Sequence, residues 1–455
     1  VIRRYCLAAL IALGMCAPEF AAAQDPERAL AVEREVERLA AQRVLWPGYD
    51  PLAIPLAVFT GERTYLFRHP APPEGFSPVA GSRPTAFAFQ GRHPAVTSNT
   101  SAEIGGNVSA TLLIDRPGAG KSTTDLAAVA LHEAFHVYQR QHHTSWSGNE
   151  GDLFLYPIDD VRLLALRRLE SAALRRAFDA RDTAGAACWA RLALGYRRER
   201  FAAMDSSFST YERRTELNEG LAAYVQLRAT GTATVEIPAA EFPPARIRDR
   251  TYVIGPALAF LLDRLRPGWQ AALEADDKQY LDRMLESALG QKPARCALAA
   301  DEIERIEKTA KADVAAVIAA RGEPRDAFDA RPGWRVAVEA APGKPLWPQG
   351  FDPLNVERVE GGILHTRFVR LGNDAGDLEA IDEAGADLEA ITEGVGPHPL
   401  FNGVRRITIA GLAKPVTTTE GGKVTVRAPG LTAQFKSAGL EVKGTEVLVR
   451  LESPK

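Results

Sequence analysis

The segment Leu126 to Gln139, LAAVALHEAFHVYQ, constrains this chain more than any other. It contains neither Gly nor Pro and reads as helix. Its apolar residues run nearly all the way round, which marks a helix buried among other elements. His132, Glu133 and His136 interrupt that surface. Groups this polar do not enter a buried helix cheaply unless a ligand pairs them. At 3.6 residues per turn, His132 and His136 lie one turn apart on a single face. Two imidazoles so placed can hold one zinc ion at about 2.0–2.1 Å each. Glu133 then stands beside them to take a proton from a water acidified towards about pKa 7. Zinc has no redox chemistry, so the arrangement suits hydrolysis. The plainer alternative is two histidines and a glutamate on a helix surface, and the apolar flanks argue against it.

The chain has 455 residues, room for two or three domains. Its apolar and charged fractions are those of a globular protein with a real core. Lys/Arg and Asp/Glu nearly balance, with a net charge of -3. No basic stripe marks a nucleic-acid binder and no polybasic run marks a membrane surface. The first residues read as an export signal. Arg3 and Arg4 supply the positive start, Tyr5 to Cys16 a short apolar run, and Ala21 to Ala23 the small residues of a cleavage site, placing the mature start near Gln24. This predicts a periplasmic or secreted protein with no transmembrane segment once the signal is removed. An uncleaved anchor is the alternative, and a lipoprotein on Cys16 is disfavoured by the bulk of Met15. Cys188 and Cys296 then remain, as one disulfide or as two buried thiols.

Texture divides the rest. Residues 25–45 have helical spacing. From Trp46 to Asp115, Pro and Gly are frequent and β-type runs appear at Ala57–Phe59, Thr64–Phe67, Thr85–Phe89 and Val108–Ile114. Helices are predicted at 125–142, 159–179, 184–204, 209–229, 254–265, 277–289 and 299–320. Beyond Arg331 the runs RVAVEA, ILHTRFVRL, RRITIAG, KVTVRA, AQFK and EVLVRL return to β texture. The expectation is an α+β chain: a signal at 1–23, a β-rich region at 24–115, a helical zinc domain at 116–328 and an all-β domain, such as a sandwich, at 329–455. LWPGYDPL at Leu45 recurs as LWPQGFDPL at Leu346, which suggests two similar loop-strand units that each pack a Trp and a second aromatic ring. DLEAI at Asp377 recurs at Asp387.

A further motif is Glu216-Leu217-Asn218-Glu219-Gly220-Leu221-Ala222-Ala223-Tyr224, again on a predicted helix. HExxH followed by N-E-G-(apolar)-A-x-Y resembles the gluzincin metallopeptidases, specifically their aminopeptidase-N-like branch. The resemblance spans roughly residues 100–265 and implies a thermolysin-like helical zinc domain acting on a peptide or protein substrate. It makes Glu219 the third zinc ligand beside His132 and His136, and Glu133 the general base. In Arg250-Thr251-Tyr252-Val253-Ile254-Gly255, it makes Tyr252 the donor to the oxyanion, worth about 2.7–4 kcal/mol of barrier. It implies that Val108–Ile114 is an edge strand pairing with an extended peptide. Small Gly220 and Ala222 are expected to let their helix approach the zinc helix. Two departures stand out. The 82 residues between His136 and Glu219 form a much longer link than that branch uses. The G-x-M-E-N exopeptidase strand is missing, which leans against aminopeptidase activity.

Glu212, Glu216 and Glu219 share a predicted helical face. Glu216 is the alternative third ligand, and Glu216 or Glu212 a candidate to orient a zinc histidine. Glu170 has weaker claims, and His142 and His143 read as surface residues. Pro117 to Thr123 resembles a P-loop, but Asp115 stands where its first Gly is needed, so a Gly-rich turn with Thr124 or Asp125 near the N-cap is the better reading. An exported zinc-containing peptide-binding module, or a hydrolase of another amide or ester, is the competing functional class. Oligomeric state is open.

Overall fold

The structure is a computed structural model that describes residues 17–114, 122–239, 241–290, 295–352, 355–381, 388–396 and 398–452, with side chains from Pro26 onward. The export reading of residues 1–16 and most of the Gly-rich turn at 117–123 lie outside them. No helix among the described residues is long and apolar enough to cross a membrane.

The chain forms two compact units. One comprises the residues up to Asn149 together with Leu166–Ile303, and the other Glu150–Ala165 with Glu304–Lys455. The first opens with α1 (Ala17–Gln42) and a six-stranded sheet. Its strands are β1 (Leu56–Phe59), β2 (Arg63–Phe67), β3 (Phe76–Pro78), β4 (Ala86–Gln90), β5 (Thr100–Ile104) and β6 (Asn107–Leu113), in the order β3-β4-β2-β1-β6-β5. Only β1 and β6 run parallel. Side chains alternate across it as the two-residue period requires. Leu56, Val58, Tyr65, Phe67, Ala110 and Leu112 join the large core that holds the helices, while Ala57, Phe59, Leu66 and Leu113 form a smaller cluster with Val96 and Ile104.

The helices that follow are α2 (Thr123–His142), α3 (Glu150–Leu155), α4 (Val161–Asp179), α5 (Thr183–Ala202), α6 (Ser206–Thr215), α7 (Leu221–Ala229), α8 (Ile247–Leu265), α9 (Trp269–Glu274), α10 (Leu281–Leu289), α11 (Ala300–Ala320) and α12 (Gly322–Asp329). The predicted helix at 209–229 is divided: a π-helical turn, Glu216–Gly220, joins α6 to α7. Ser122 is the N-cap of α2 and forms a capping box with Asp125, two or three residues ahead of the expected cap at Thr124 or Asp125. Cys188 and Cys296 are disulfide-bonded, with Cα atoms 5.8 Å apart.

The second unit is a pair of mixed and antiparallel sheets of seven and six strands. They share one apolar core, in which Val336, Val338, Ile407 and Ile409 of one sheet meet Leu371, Leu378, Val424 and Val426 of the other, as expected for a sandwich. ILHTRFVRL is two strands, Gly362–His365 and Phe368–Asn373, because they pair in different sheets. The two W-P-aromatic segments are not equivalent. Trp46 is fully buried, edge-on to Phe135 and Trp269, whereas Trp347 is 46% exposed on a sheet edge.

Candidate metal centre

Helix α2 carries His132, Glu133 and His136 into the first unit, and the π turn brings Glu219 against them. The Nε2 atoms of His132 and His136 are 3.1 Å apart. Glu219 Oε2 lies 3.2 Å from His136 Nε2 and 3.9 Å from His132 Nε2. These residues form the one group of His, Cys, Asp or Glu among the described residues whose ligand atoms converge in this way. Tetrahedral ligands about 2.0–2.1 Å from a zinc ion stand about 3.3 Å from each other, so the three atoms fit such an ion. Tyr252 stacks its ring parallel to His132, with centroids 6.0 Å apart. The structure thus brings together His132, Glu133, His136, Glu219 and Tyr252.

Their surroundings set their charges. Burial first, then His136, lowers the His132 pKa to about 3, so that ring is neutral. Burial raises Glu133 to about 7, a value suited to taking and returning a proton near neutrality. Burial also opposes ionisation of Glu219, but the hydrogen bond and charge of His136, with Arg248, outweigh it and leave the carboxyl at about 2. Burial and Glu219 push the Tyr252 hydroxyl above the usual phenol range, so it remains a donor.

Three groups at the site were not found in the sequence. Gln139 Oε1 meets His136 Nδ1 at 2.8 Å, and its Nε2 donates to the carbonyls of Leu217 and Asn218 at 2.9 Å each. Gln139 thereby ties the His136 ring to the turn that carries Glu219, a contact that fixes tautomer and orientation. Arg248 donates to Glu219 Oε1 at 2.5 Å and to the Tyr252 hydroxyl at 3.3 Å. Arg140 lines the cavity without a hydrogen bond or ion pair among the described residues. Spacing was the available signal: Gln139 is three residues after His136, Arg140 four after it, and Arg248 four before Tyr252, all same-face intervals.

Glu216 and Glu212 do not serve to orient His132 or His136, and Glu216 is not in the converging group. Arg197 Nη1 donates to Glu216 at 2.9 Å, and Arg200 holds Glu212. The π turn explains the parting of ways. Its i→i+5 geometry widens the helix by one residue, so Glu219 leaves the face that Glu212 and Glu216 share. Glu170 joins the same buried arginines, 3.0 Å from Arg197 and 2.9 Å from Arg200. His142 is exposed as expected. His143 is buried between Asp277 and Glu274, at 2.6 and 3.1 Å.

Gly220 packs against α8 rather than the zinc helix. A Cβ on Gly255 would lie 2.5 Å from Gly220 Cα and 2.9 Å from the Glu216 carbonyl, both backbone atoms that cannot swing aside. Gly255→Ala is therefore expected to cost about 1–3 kcal/mol, as overpacking does. It should also weaken metal binding, because the backbone it displaces carries Glu219. Denaturant unfolding with and without added zinc measures both effects.

The site opens into a cavity of ≈ 360 Å³ lined by Asn99, Thr100, Ser101, Ser147 and Asn218 besides the residues above. That volume is within the range of ligand clefts. The strand bordering it is β5, not the predicted Val108–Ile114. β6 lies between β1 and β5 and is not an edge, whereas β5 pairs on one side only among the described residues. Comparison with protein-family models, with curated proteins and with solved structures gave no match.

Proposed function

We propose that this chain is a zinc-dependent peptidase of thermolysin-like, gluzincin type, in which His132, His136 and Glu219 hold the metal. The observation that carries the reading is the convergence of those three ligand atoms next to a buried carboxylate, Glu133, which metal holding alone does not need. Zinc in this ligand set supplies Lewis acidity and a water acidic enough to ionise near neutral pH.

The protein's own groups supply the rest. The free edge of β5, at Thr100 and Ser101, offers backbone N–H and C=O groups to an extended peptide, in the manner of an added strand. Glu133 takes a proton from the attacking water and returns it to the leaving nitrogen as the C–N bond breaks. Tyr252 donates its hydroxyl to the carbonyl oxygen as negative charge grows there. Gln139 and Arg248 hold His136 and Glu219 in place through both steps.

The test is incubation of the zinc-loaded full chain with a mixed peptide library, read by mass spectrometry with and without a chelator. Chelator-sensitive cleavage supports the reading. Zinc bound at one per chain with every peptide intact removes peptide hydrolysis and favours an exported zinc-containing binding module or a hydrolase of another amide or ester.

A further inference from the structure

The metal cavity selects by charge. Its lining contains no aliphatic side chain, and Tyr252 is its one aromatic residue apart from the histidines, so it has no apolar subsite to fill. Two glutamates, Glu133 and Glu219, face two arginines, Arg140 and Arg248. With these in balance, a bound divalent cation leaves its double charge uncompensated, and the cavity favours an anionic partner.

The two arginines are not equivalent. Arg248 is committed to Glu219 and Tyr252. The Arg140 side chain makes no hydrogen bond or ion pair among the described residues, and Glu133 is the charge that acts on it. Its guanidinium fork, which matches a carboxylate in a two-point contact, is open to the cavity. Ser101 also lines the cavity, and its buried hydroxyl has no hydrogen-bond partner.

Position sets the register. His132, His136 and Arg140 succeed one another at four-residue intervals along α2, so Arg140 Cα lies about 6 Å further along the axis than His136 Cα. An extended substrate advances about 3.3 Å per residue. We infer that Arg140 is a specificity-determining residue, receiving a substrate carboxylate one or two residues from the bond that is cut. This rests on the peptidase reading of the site. The shared chemistry is a planar carboxylate, supplied by a C-terminus or by an Asp or Glu side chain.

The test is calorimetric binding of three alanine-rich hexapeptides to zinc-loaded full-length Glu133→Gln, which has the cavity but not the base. One peptide ends in a free acid, one in an amide, and one in an amide with a single internal Glu. At least one acidic peptide should bind about 10- to 100-fold tighter than the neutral amide, as charge-assisted contacts do. Whichever acid is preferred identifies the source of the carboxylate. Adding Arg140→Ala should collapse the acid-to-amide ratio to near one, and Arg140→Lys should keep part of it. Equal binding of all three peptides, or an equal loss for all three in Arg140→Ala, overturns the inference. Since binding is read without hydrolysis, an acid preference in a chain that cleaves nothing overturns the peptidase reading alone.

Discussion

Glu133→Gln is expected to lower peptide-bond turnover by about 10²- to 10⁴-fold, the range for loss of a positioned acid–base group. Glu133 touches the cavity beside His132 and His136 but is not one of the three converging ligands. Glutamine has the same shape and cannot accept the proton, so zinc content and fold should be unchanged. The measurement is kcat on a cleaved library peptide, with metal analysis and thermal melting on the same preparation. A variant that keeps its zinc and melting point and still turns over within tenfold of the parent removes Glu133 as the base.

The largest expected loss of stability comes from Glu170→Gln. Glu170 lies within 3.1 Å of Arg197, Arg200 and Arg250, and all four side chains are almost wholly excluded from water. Glu212, Glu216 and Glu241 join the same buried cluster, Glu241 through Arg250 and Arg167, in the core of the first unit. Burial alone would push Glu170 up, but the three arginines hold its pKa far below the usual carboxylate range. Removing one charge leaves its partners buried and uncompensated, which costs about 3–5 kcal/mol. A depressed folded-state pKa contributes stability above the unfolded value of about 4.3, and that contribution is lost as pH falls. The gap between parent and Glu170→Gln in urea unfolding should therefore be full at pH 7 and narrow below pH ~4. A gap under about 1 kcal/mol at pH 7 would show that the cluster adds no more than a surface ion pair.

That cluster also marks where sequence reasoning stopped. His132, Glu133 and His136 were legible because one regular helix relates them, and a four-residue interval has one geometric meaning. Glu219 and Tyr252 were legible through the resemblance of their motifs. The neighbours of Glu219 were misassigned because regular helical phase was carried through Glu216–Gly220, where the chain is π-helical. Gln139 and Arg248 lay at telling intervals, but their partners, the carbonyls of Leu217 and Asn218 and the carboxylate of Glu219, come from other elements. Packing between helices decides such pairs, and a one-dimensional period does not contain it. The missed edge strand has a similar cause. TSAEI lacks the β-branched alternation of a half-buried strand because β5 pairs on one side only, so the stronger pattern of VSATLLI drew the assignment one strand inward. In the second unit, GDLEAI has the composition of a helix and became a strand through pairing on both sides.

Zinc titration of the full chain against a chromogenic chelator reads whether His132, His136 and Glu219 make one metal site. One zinc per chain is expected, with at least about 100-fold weaker binding in Glu219→Ala and in His136→Ala, and a smaller loss, about 10- to 100-fold, in Gln139→Ala. No zinc bound by the parent chain, or equal affinity in parent, Glu219→Ala and His136→Ala, would contradict a single metal site there.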